Sequence, residues 1–285
     1  MIGSHDRQET DAQMQLGIRA IQIAKVRYDG LVEQLPPPES GSMLDTERQY
    51  TAREPLDILV MTHRARAREN LDRVFAMMID HENEQLVAFP FSLYSLIRTA
   101  VEAAAMSMWL IQSSKKADRV FRALQVAYRS SHEAVMFAEL IKGTHGAAPA
   151  RVGHAKTVAR LNELKDMVGP LRQRELGYPP RYTSILTAVS PKARDQIGGG
   201  YELSSPLVVW KSSSAFLHGS GHVVRALSDI RQIDDFNEGV ASFEITPSIQ
   251  MLAVSIGACV DLIAQLDERY LYLSIRDYAG RSVAL

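Results

Sequence analysis

The stretch SLYSLIRTAVEAAAMSMWLI, residues 92–111, decides the fold of this chain. Its apolar residues recur three or four positions apart, which is the spacing of one face of an α-helix. The side chains on this face are Phe91, Tyr94, Ile97, Val101, Ala104, Met108 and Ile111. Since the other positions from Thr99 onward are nearly all apolar as well, the stretch predicts a helix that is buried on most of its surface.

Two charged residues interrupt this apolar helix. Arg98 and Glu102 lie one helical turn apart, so their side chains are neighbours on one side of the helix. A buried charge is costly unless it is paired. Two interpretations stay open: an ion pair that braces a helix bundle, or a polar pocket between helices that binds a ligand.

Helical patterns recur along the chain and predict an all-α fold, a multi-helix bundle of about seven to nine helices. They cover residues 7–35, 55–84, 91–112, 115–142, 154–168, 205–218, 222–232 and 246–278. Residues 143–153, which are rich in Gly, Ala, Pro and His, are predicted to form a loop. Residues 1–54 are predicted to be an N-terminal helix and a proline-rich connection, and residues 55–285 a helical bundle domain. Only residues 239–245 resemble a strand, and weakly.

Composition limits the function. The chain has 285 residues, a net charge of −1 and a single cysteine, Cys259, inside an apolar run, which predicts a buried thiol in the reducing cytoplasm. The N-terminus has no signal-peptide pattern, and the apolar runs are too short to predict a membrane span. Glycine-rich nucleotide motifs, phosphate loops and paired Cys-x-x-Cys motifs are absent, so no cofactor is expected.

Charge is distributed unevenly. Residues 142–194 contain ten Lys or Arg and three acidic residues, whereas residues 229–277 contain nine acidic residues and three Arg. The basic segment indicates a nucleic-acid or phosphate ligand as one partner. The same asymmetry also fits complementary faces of one molecule or of a homodimer.

A second polar group lies in residues 201–225. Ser214, His218 and His222 are spaced four apart, which would place them on one helix face. Two histidines at this spacing can bind a metal, but the motif lacks the glutamate of zinc proteases and a third ligand. A serine–histidine pair also suggests nucleophilic catalysis, although no Gly-x-Ser-x-Gly elbow is present. The simplest alternative is a helix end at which His218 is hydrogen-bonded in the core and Gly219 turns the chain.

These residues resemble those of a family. The order Arg98-x-x-x-Glu102, Trp109-Leu110, an arginine-rich helix with Arg119 and Arg122, and Ser214-x-x-x-His218-Gly219 resembles a group of uncharacterised actinobacterial all-helical proteins that is distantly similar to HEPN domains. The resemblance covers roughly residues 90–230. It implies a bundle in which Arg98, Glu102, Arg119, Arg122 and His218 converge, and a role in a defence or toxin system. The Arg-x₄₋₆-His motif of HEPN ribonucleases is absent, which argues against that route of RNA cleavage.

The leading prediction is a cytoplasmic binding or interaction protein with a polar pocket between helices. Its pocket would contain Arg98, Glu102, Arg119, Arg122, Ser214 and His218, with Arg119 and Arg122 as anion contacts. One alternative is a nuclease-like or metal-dependent hydrolase that uses His218 as an acid–base group or metal ligand. The other is a purely structural helical dimer.

Overall fold

The computed structural model describes residues 9–80, 85–191, 200–234, 240 and 242–283. The chain is 69% helical, which confirms the all-α prediction. The helices are α1 (Asp11–Asp29), α2 (Met43–Arg48), α3 (Leu56–Met77), α4 (Pro90–Ile111), α5 (Lys116–Gly146), α6 (Ala148–Asp166), α7 (Tyr182–Val189), α8 (Pro206–Leu217), α9 (Gly221–Ala226) and α10 (Ile249–Ile275). A short 3₁₀ turn covers Gly169–Leu171.

The described residues also contain two small antiparallel sheets. Strands β1 (Ile79–Asp80) and β2 (Gln85–Leu86) pair with Ile79 opposite Leu86. Strands β3 (Ser228–Gln232) and β4 (Phe243–Pro247) pair from Ser228 opposite Pro247 to Gln232 opposite Phe243. The weak strand candidate at 239–245 therefore overlaps β4. Of that candidate, residues 239 and 241 lie outside the described part of the chain.

The chain divides into two compact units. Unit 1 takes its described residues from Met1–Glu33, Arg64–Ala105 and Leu186–Gln265. Unit 2 comprises Gln34–His63, Met106–Ile185 and the described residues of Leu266–Leu285. The boundary predicted between residues 54 and 55 stays a prediction.

Helix α4 forms where the apolar spacing predicts it. Of the seven predicted face residues, Tyr94, Ile97, Val101, Ala104 and Ile111 are fully buried, Met108 is half-buried and Phe91 is exposed. In unit 1, the Tyr94 ring stacks on Phe216 of α8 with ring centroids 4.0 Å apart. The predicted burial of Cys259 is also confirmed, and burial raises the pKa of its thiol to about 12.

Helix α5 and helix α6 form the main hairpin of unit 2. They pack through a core of buried apolar residues: Val120, Phe121, Leu124, Ala127, Leu161, Leu164, Val168 and Leu171. The prediction of a loop over residues 143–153 is wrong, since α5 continues to Gly146 and α6 begins at Ala148. The glycine signal marks a kink instead, because Gly143 has φ +67° inside the helical run.

Helix α10 begins later than the predicted Thr246–Pro247 start, because Pro247 is the last residue of β4. The hydroxyl of Ser248 accepts the N–H of Met251 at 3.1 Å, so serine supplies the cap. By length and composition α10 could cross a membrane, but 61% of its most apolar window is buried inside the protein, as in a core helix.

Candidate functional site

Helices α4 and α8 bring three of the predicted site residues together in unit 1. The Nε–H of Arg98 donates to the Ser214 hydroxyl at 2.9 Å. The carboxylate of Glu102 lies 3.7 Å from the Arg98 Nη2 atom, in the one-turn spacing that the sequence indicates. The Arg98 side chain is 31% exposed and that of Glu102 is 15% exposed, so the pair lies at the edge of solvent.

Trp210 contacts all three of these residues. Its indole N–H donates to the Glu102 carboxylate at 3.0 Å, and its backbone carbonyl accepts the Ser214 hydroxyl proton at 2.7 Å. The Arg98 guanidinium lies 5.3 Å from the centroid of the same indole ring, within cation–π range. We call Arg98, Glu102, Trp210 and Ser214 the Arg98 ring. Since each of its members is already bound to another, the arrangement favours a brace between α4 and α8 over an open binding pocket.

Sequence reasoning missed Trp210, although a signal was present. An indole N–H that is half-buried needs an acceptor, and Trp210 lies one turn before Ser214 on α8. The Ser214 hydroxyl gives its only proton to the Trp210 carbonyl and accepts from Arg98. It therefore has no base to activate it as a nucleophile.

His218 lies outside the Arg98 ring. It is the exposed C-cap of α8, and Gly219 turns the chain directly after it with φ +63°. The prediction of a turn at Gly219 is confirmed, whereas the alternative of a core histidine is wrong. The helix ends at Leu217, so the side chain at position 218 projects from the last turn into solvent.

His222 does not share a helix with His218. It belongs to the short α9, which begins at Gly221, and it is exposed. The helical spacing that would place two imidazoles on one face is therefore interrupted at Gly219. Among the residues that the structure describes, no group of three or more His, Cys, Asp or Glu is arranged to hold a metal.

Arg119 belongs to unit 2 and is buried in a polar network there. Its Nε–H donates to Oε2 of Glu47 in α2 at 3.2 Å, and its Nη2 donates to Oε1 of the same carboxylate. The two residues therefore form a bidentate ion pair. Both side chains have no exposed surface. The Tyr278 hydroxyl donates to Glu47 as well. Burial would lower the pKa of Arg119, but the hydrogen bonds and the charge of Glu47 outweigh it and raise this pKa.

The same network covers the C-terminal end of α4. Arg119 donates to the carbonyl of Ser113 at 2.7 Å. Arg269 donates to the carbonyls of Ile111 and Ser113, both at 3.0 Å. Carbonyls at the end of a helix lack intrahelical partners, and cationic donors also complement the helix dipole there. The role of Arg119 in this structure is therefore to pair Glu47 and to cap α4.

Arg122 also has protein partners. Its Nη1 donates to the Trp109 carbonyl, and its guanidinium lies 5.0 Å from the Trp109 ring centroid. Burial lowers the pKa of this arginine. The arginine and Trp109 of the predicted motif are thus direct neighbours in unit 2. The structure thus gives both Arg119 and Arg122 partners within that unit.

The basic segment 142–194 is partly neutralised by ion pairs. These are Arg151–Glu139, Arg160–Glu163, Lys165–Asp166 and Arg174–Asp118. Two of the acidic partners, Glu139 and Asp118, precede the segment in sequence, so the local charge count overstated the free positive charge. Binding of a nucleic acid or phosphate stays a prediction.

Two features of the α5–α6 hairpin were not predicted. The first is a histidine–tyrosine cluster of Tyr128, Ser131, His132, His154 and Tyr178. In this cluster Tyr178 Oη lies 2.5 Å from His132 Nδ1, and Ser131 Oγ lies 2.8 Å from His154 Nδ1. The ring centroids of the two histidines are 5.2 Å apart.

The second feature is an apolar surface on the distal half of α5. Met136, Phe137, Leu140 and Ile141 are 58%, 64%, 82% and 62% exposed. Their spacing places them next to one another on one side of the helix. We call these four residues the α5 patch. Adjacent exposed apolar residues of this size mark an interaction surface more often than isolated ones do.

No family model, curated protein or solved structure matches this chain. The resemblance to the actinobacterial group therefore stays a prediction.

Proposed function

We propose that this chain is a helical interaction protein that forms a homodimer through the α5 patch. The observation that carries the proposal is the exposure of four adjacent large apolar side chains on one helix. Covering such a surface is favourable because apolar area leaves water. The Arg98 ring supports the proposal indirectly, since its polar groups already bind one another. The α5 patch is therefore the stronger candidate for binding a partner.

The apolar character of the patch makes a second copy of the chain a suitable partner. Burial of apolar surface has no preferred direction, so an apolar surface is complementary to a copy of itself. A two-fold axis at the patch would let the same four side chains of two copies cover each other. Glu133 lies about one turn before the patch on the same side of α5, and its side chain is 65% exposed, so it would belong to the polar rim of this interface.

The size of the patch sets the expected strength of the dimer. A stable interface buries about 800 Å² on each partner. An aromatic side chain buries about 150–250 Å². Four side chains therefore cover only part of a standard interface, and the polar turns beside them have to contribute. We expect a dimer that dissociates on dilution.

Sedimentation velocity of the full chain over a range of concentrations tests this proposal. The wild-type chain should shift from monomer to dimer as concentration rises, and Leu140→Glu should remain monomeric. Leu203→Glu is the matched control, because Leu203 is 60% exposed but lies outside the patch in unit 1. Circular dichroism should show the same helix content in all three proteins. A monomer at every concentration would contradict the proposal.

A further inference from the structure

We infer that His132 and His154 form a binding site for a late divalent transition-metal ion of the Zn²⁺, Ni²⁺ and Cu²⁺ class, with their Nε2 atoms as ligands. The site lies in unit 2, across the α5–α6 hairpin. It does not depend on the proposed dimer. Imidazole nitrogen is the side-chain ligand that suits these ions best apart from cysteine sulfur.

The hydrogen bonds of His154 fix which of its nitrogens carries the proton. Ser131 has one hydroxyl proton and donates it to the Tyr128 carbonyl at 2.9 Å. Ser131 Oγ therefore has to accept the proton of His154 Nδ1, which lies 2.8 Å away. In the neutral imidazole this leaves Nε2 with the free lone pair. A metal-binding histidine has the same arrangement, in which one nitrogen donates to an oxygen and the other binds the ion.

His132 can adopt the same state. Its Nδ1 lies 2.5 Å from the Tyr178 hydroxyl, which can accept as well as donate. When Nδ1–H donates to Tyr178, the Nε2 lone pair of His132 also becomes free. In the described part of the chain, both imidazole rings make their hydrogen bonds through Nδ1.

The two rings are close enough to share one ion and are held in place by their neighbours. Their centroids are 5.2 Å apart, and their planes are inclined by 75°. The Tyr128 ring contacts His154 edge-on at 5.4 Å and lies 6.4 Å from His132. Tyr128 in turn packs against the buried core of the hairpin. Rings held in this way lose little further freedom when an ion binds.

An ion can reach both imidazoles from solvent. Both histidines are partly exposed, so an ion and water molecules have access to them. Water would complete the coordination sphere.

Isothermal titration calorimetry with ZnCl₂ or NiCl₂ tests the site. The full chain is first stripped with EDTA and dialysed, and the titration is made at about pH 7.5. We expect one saturable site per chain, and His132→Gln and His154→Gln should each weaken it at least tenfold. The matched control is His218→Gln/His222→Gln, which removes the exposed pair suggested by local spacing and should leave binding unchanged. Circular dichroism confirms that each variant is folded.

Two further variants examine the hydrogen bonds that orient the ligands. Ser131→Ala and Tyr178→Phe keep both imidazoles but remove an Nδ1 partner. Loss of such a partner typically weakens metal binding about 10–100-fold, and we expect a loss in this range for each variant. Absence of saturable binding to both ions would overturn the inference. So would unchanged affinity in either glutamine variant, or loss of binding in the His218/His222 control.

Discussion

The Ser214 hydroxyl accepts the Nε proton of Arg98 at 2.9 Å, although the two residues are 116 positions apart in sequence. This contact joins α8 to α4 in unit 1, and Glu102 and Trp210 complete the ring around it. A polar contact of this kind fixes the register of two helices. A shift of one helix along the other would leave a hydrogen-bond donor without an acceptor.

Among the residues of the Arg98 ring, replacement of Glu102 should lower the free energy of unfolding most. Glu102→Leu leaves the Trp210 indole N–H without an acceptor and Arg98 without its charge partner. An unsatisfied group of this kind costs about 1–3 kcal/mol. We expect a fall of that size in the free energy of unfolding, measured by urea denaturation. Glu102→Gln keeps an acceptor for the indole and should cost less than Glu102→Leu.

The double variant Arg98→Met/Glu102→Leu separates a brace from a binding pocket. If the pair only braces the helices, the double variant should be at least as stable as Glu102→Leu alone, because no unpaired charge remains. A double variant that is less stable than the sum of both single changes would contradict the bracing interpretation. Unfolding curves for the four proteins provide the comparison.

Glu47 should be far less tolerant of substitution than Glu102. It is fully buried, and Arg119 depends on it for charge compensation. Removing one partner of a buried pair costs about 3–5 kcal/mol. We expect Glu47→Leu to lower the free energy of unfolding by about this amount in urea denaturation. Adding Arg119→Met should recover part of the loss, and a double-mutant cycle without such coupling would show that the pair is not the source of the effect.

The Arg98–Glu102 pair and the Arg119–Glu47 pair show how far the sequence could predict the site. The one-turn spacing of Arg98 and Glu102 placed them together correctly, because spacing within a helix is a local property. Glu47 lies 72 positions from Arg119, and no local pattern connects them. The arginine was therefore predicted as an anion contact, whereas the anion it binds is a carboxylate of its own chain.

The helix ends were harder to predict than the helices. The apolar face of α4 was predicted because it has a regular period. The same reasoning extended a helical face from Ser214 through His218 to His222, but Gly219 ends that face. The sequence contained this signal, since glycine readily adopts a positive φ. At Gly143 the opposite error occurred, because a glycine that only kinks a helix was interpreted as a loop.

The lowered pKa of His154 predicts a dependence of stability on pH. Partial burial and His132 lower this pKa in the folded chain, while Tyr128, Ser131 and Tyr178 bring no charge to the cluster. The unfolded chain then binds more protons than the folded chain between the folded pKa and the ordinary value of about 6.5. Stability should therefore be fully present above about pH 6.5 and should fall as the pH is lowered through this window.

His154→Gln is the variant that checks this dependence. Free energies of unfolding are measured between about pH 5 and pH 8 with EDTA present, so that metal binding does not contribute. The difference between the wild type and His154→Gln should change in favour of the variant as the pH falls. His218→Gln serves as the control, because His218 is exposed and lies outside the cluster. A difference that is constant with pH would contradict the prediction.

Gly17 of α1 should not accept even a methyl group. A Cβ at this position would lie 2.8 Å from Ile249 Cγ2 and 2.9 Å from the backbone nitrogen of Gln250, at the start of α10. The Glu9 carboxylate accepts the N–H groups of Ile249 and Gln250 at 2.9 and 3.2 Å. The close packing at Gly17 and the hydrogen bonds of Glu9 therefore both hold this part of the chain against the beginning of α10 in unit 1.

Gly17→Ala and Gly153→Ala should change stability in opposite directions. The first forces backbone apart, and overpacking of this kind costs about 1–3 kcal/mol. Gly153 lies inside α6 with nothing within 4 Å of an added Cβ, so alanine there should stabilise the helix by up to about 1 kcal/mol. Thermal and urea unfolding of both variants measure the two changes. If Gly17→Ala gains stability as Gly153→Ala does, α1 does not lie this close to α10 in solution, and Glu9 cannot cap that helix in the way described.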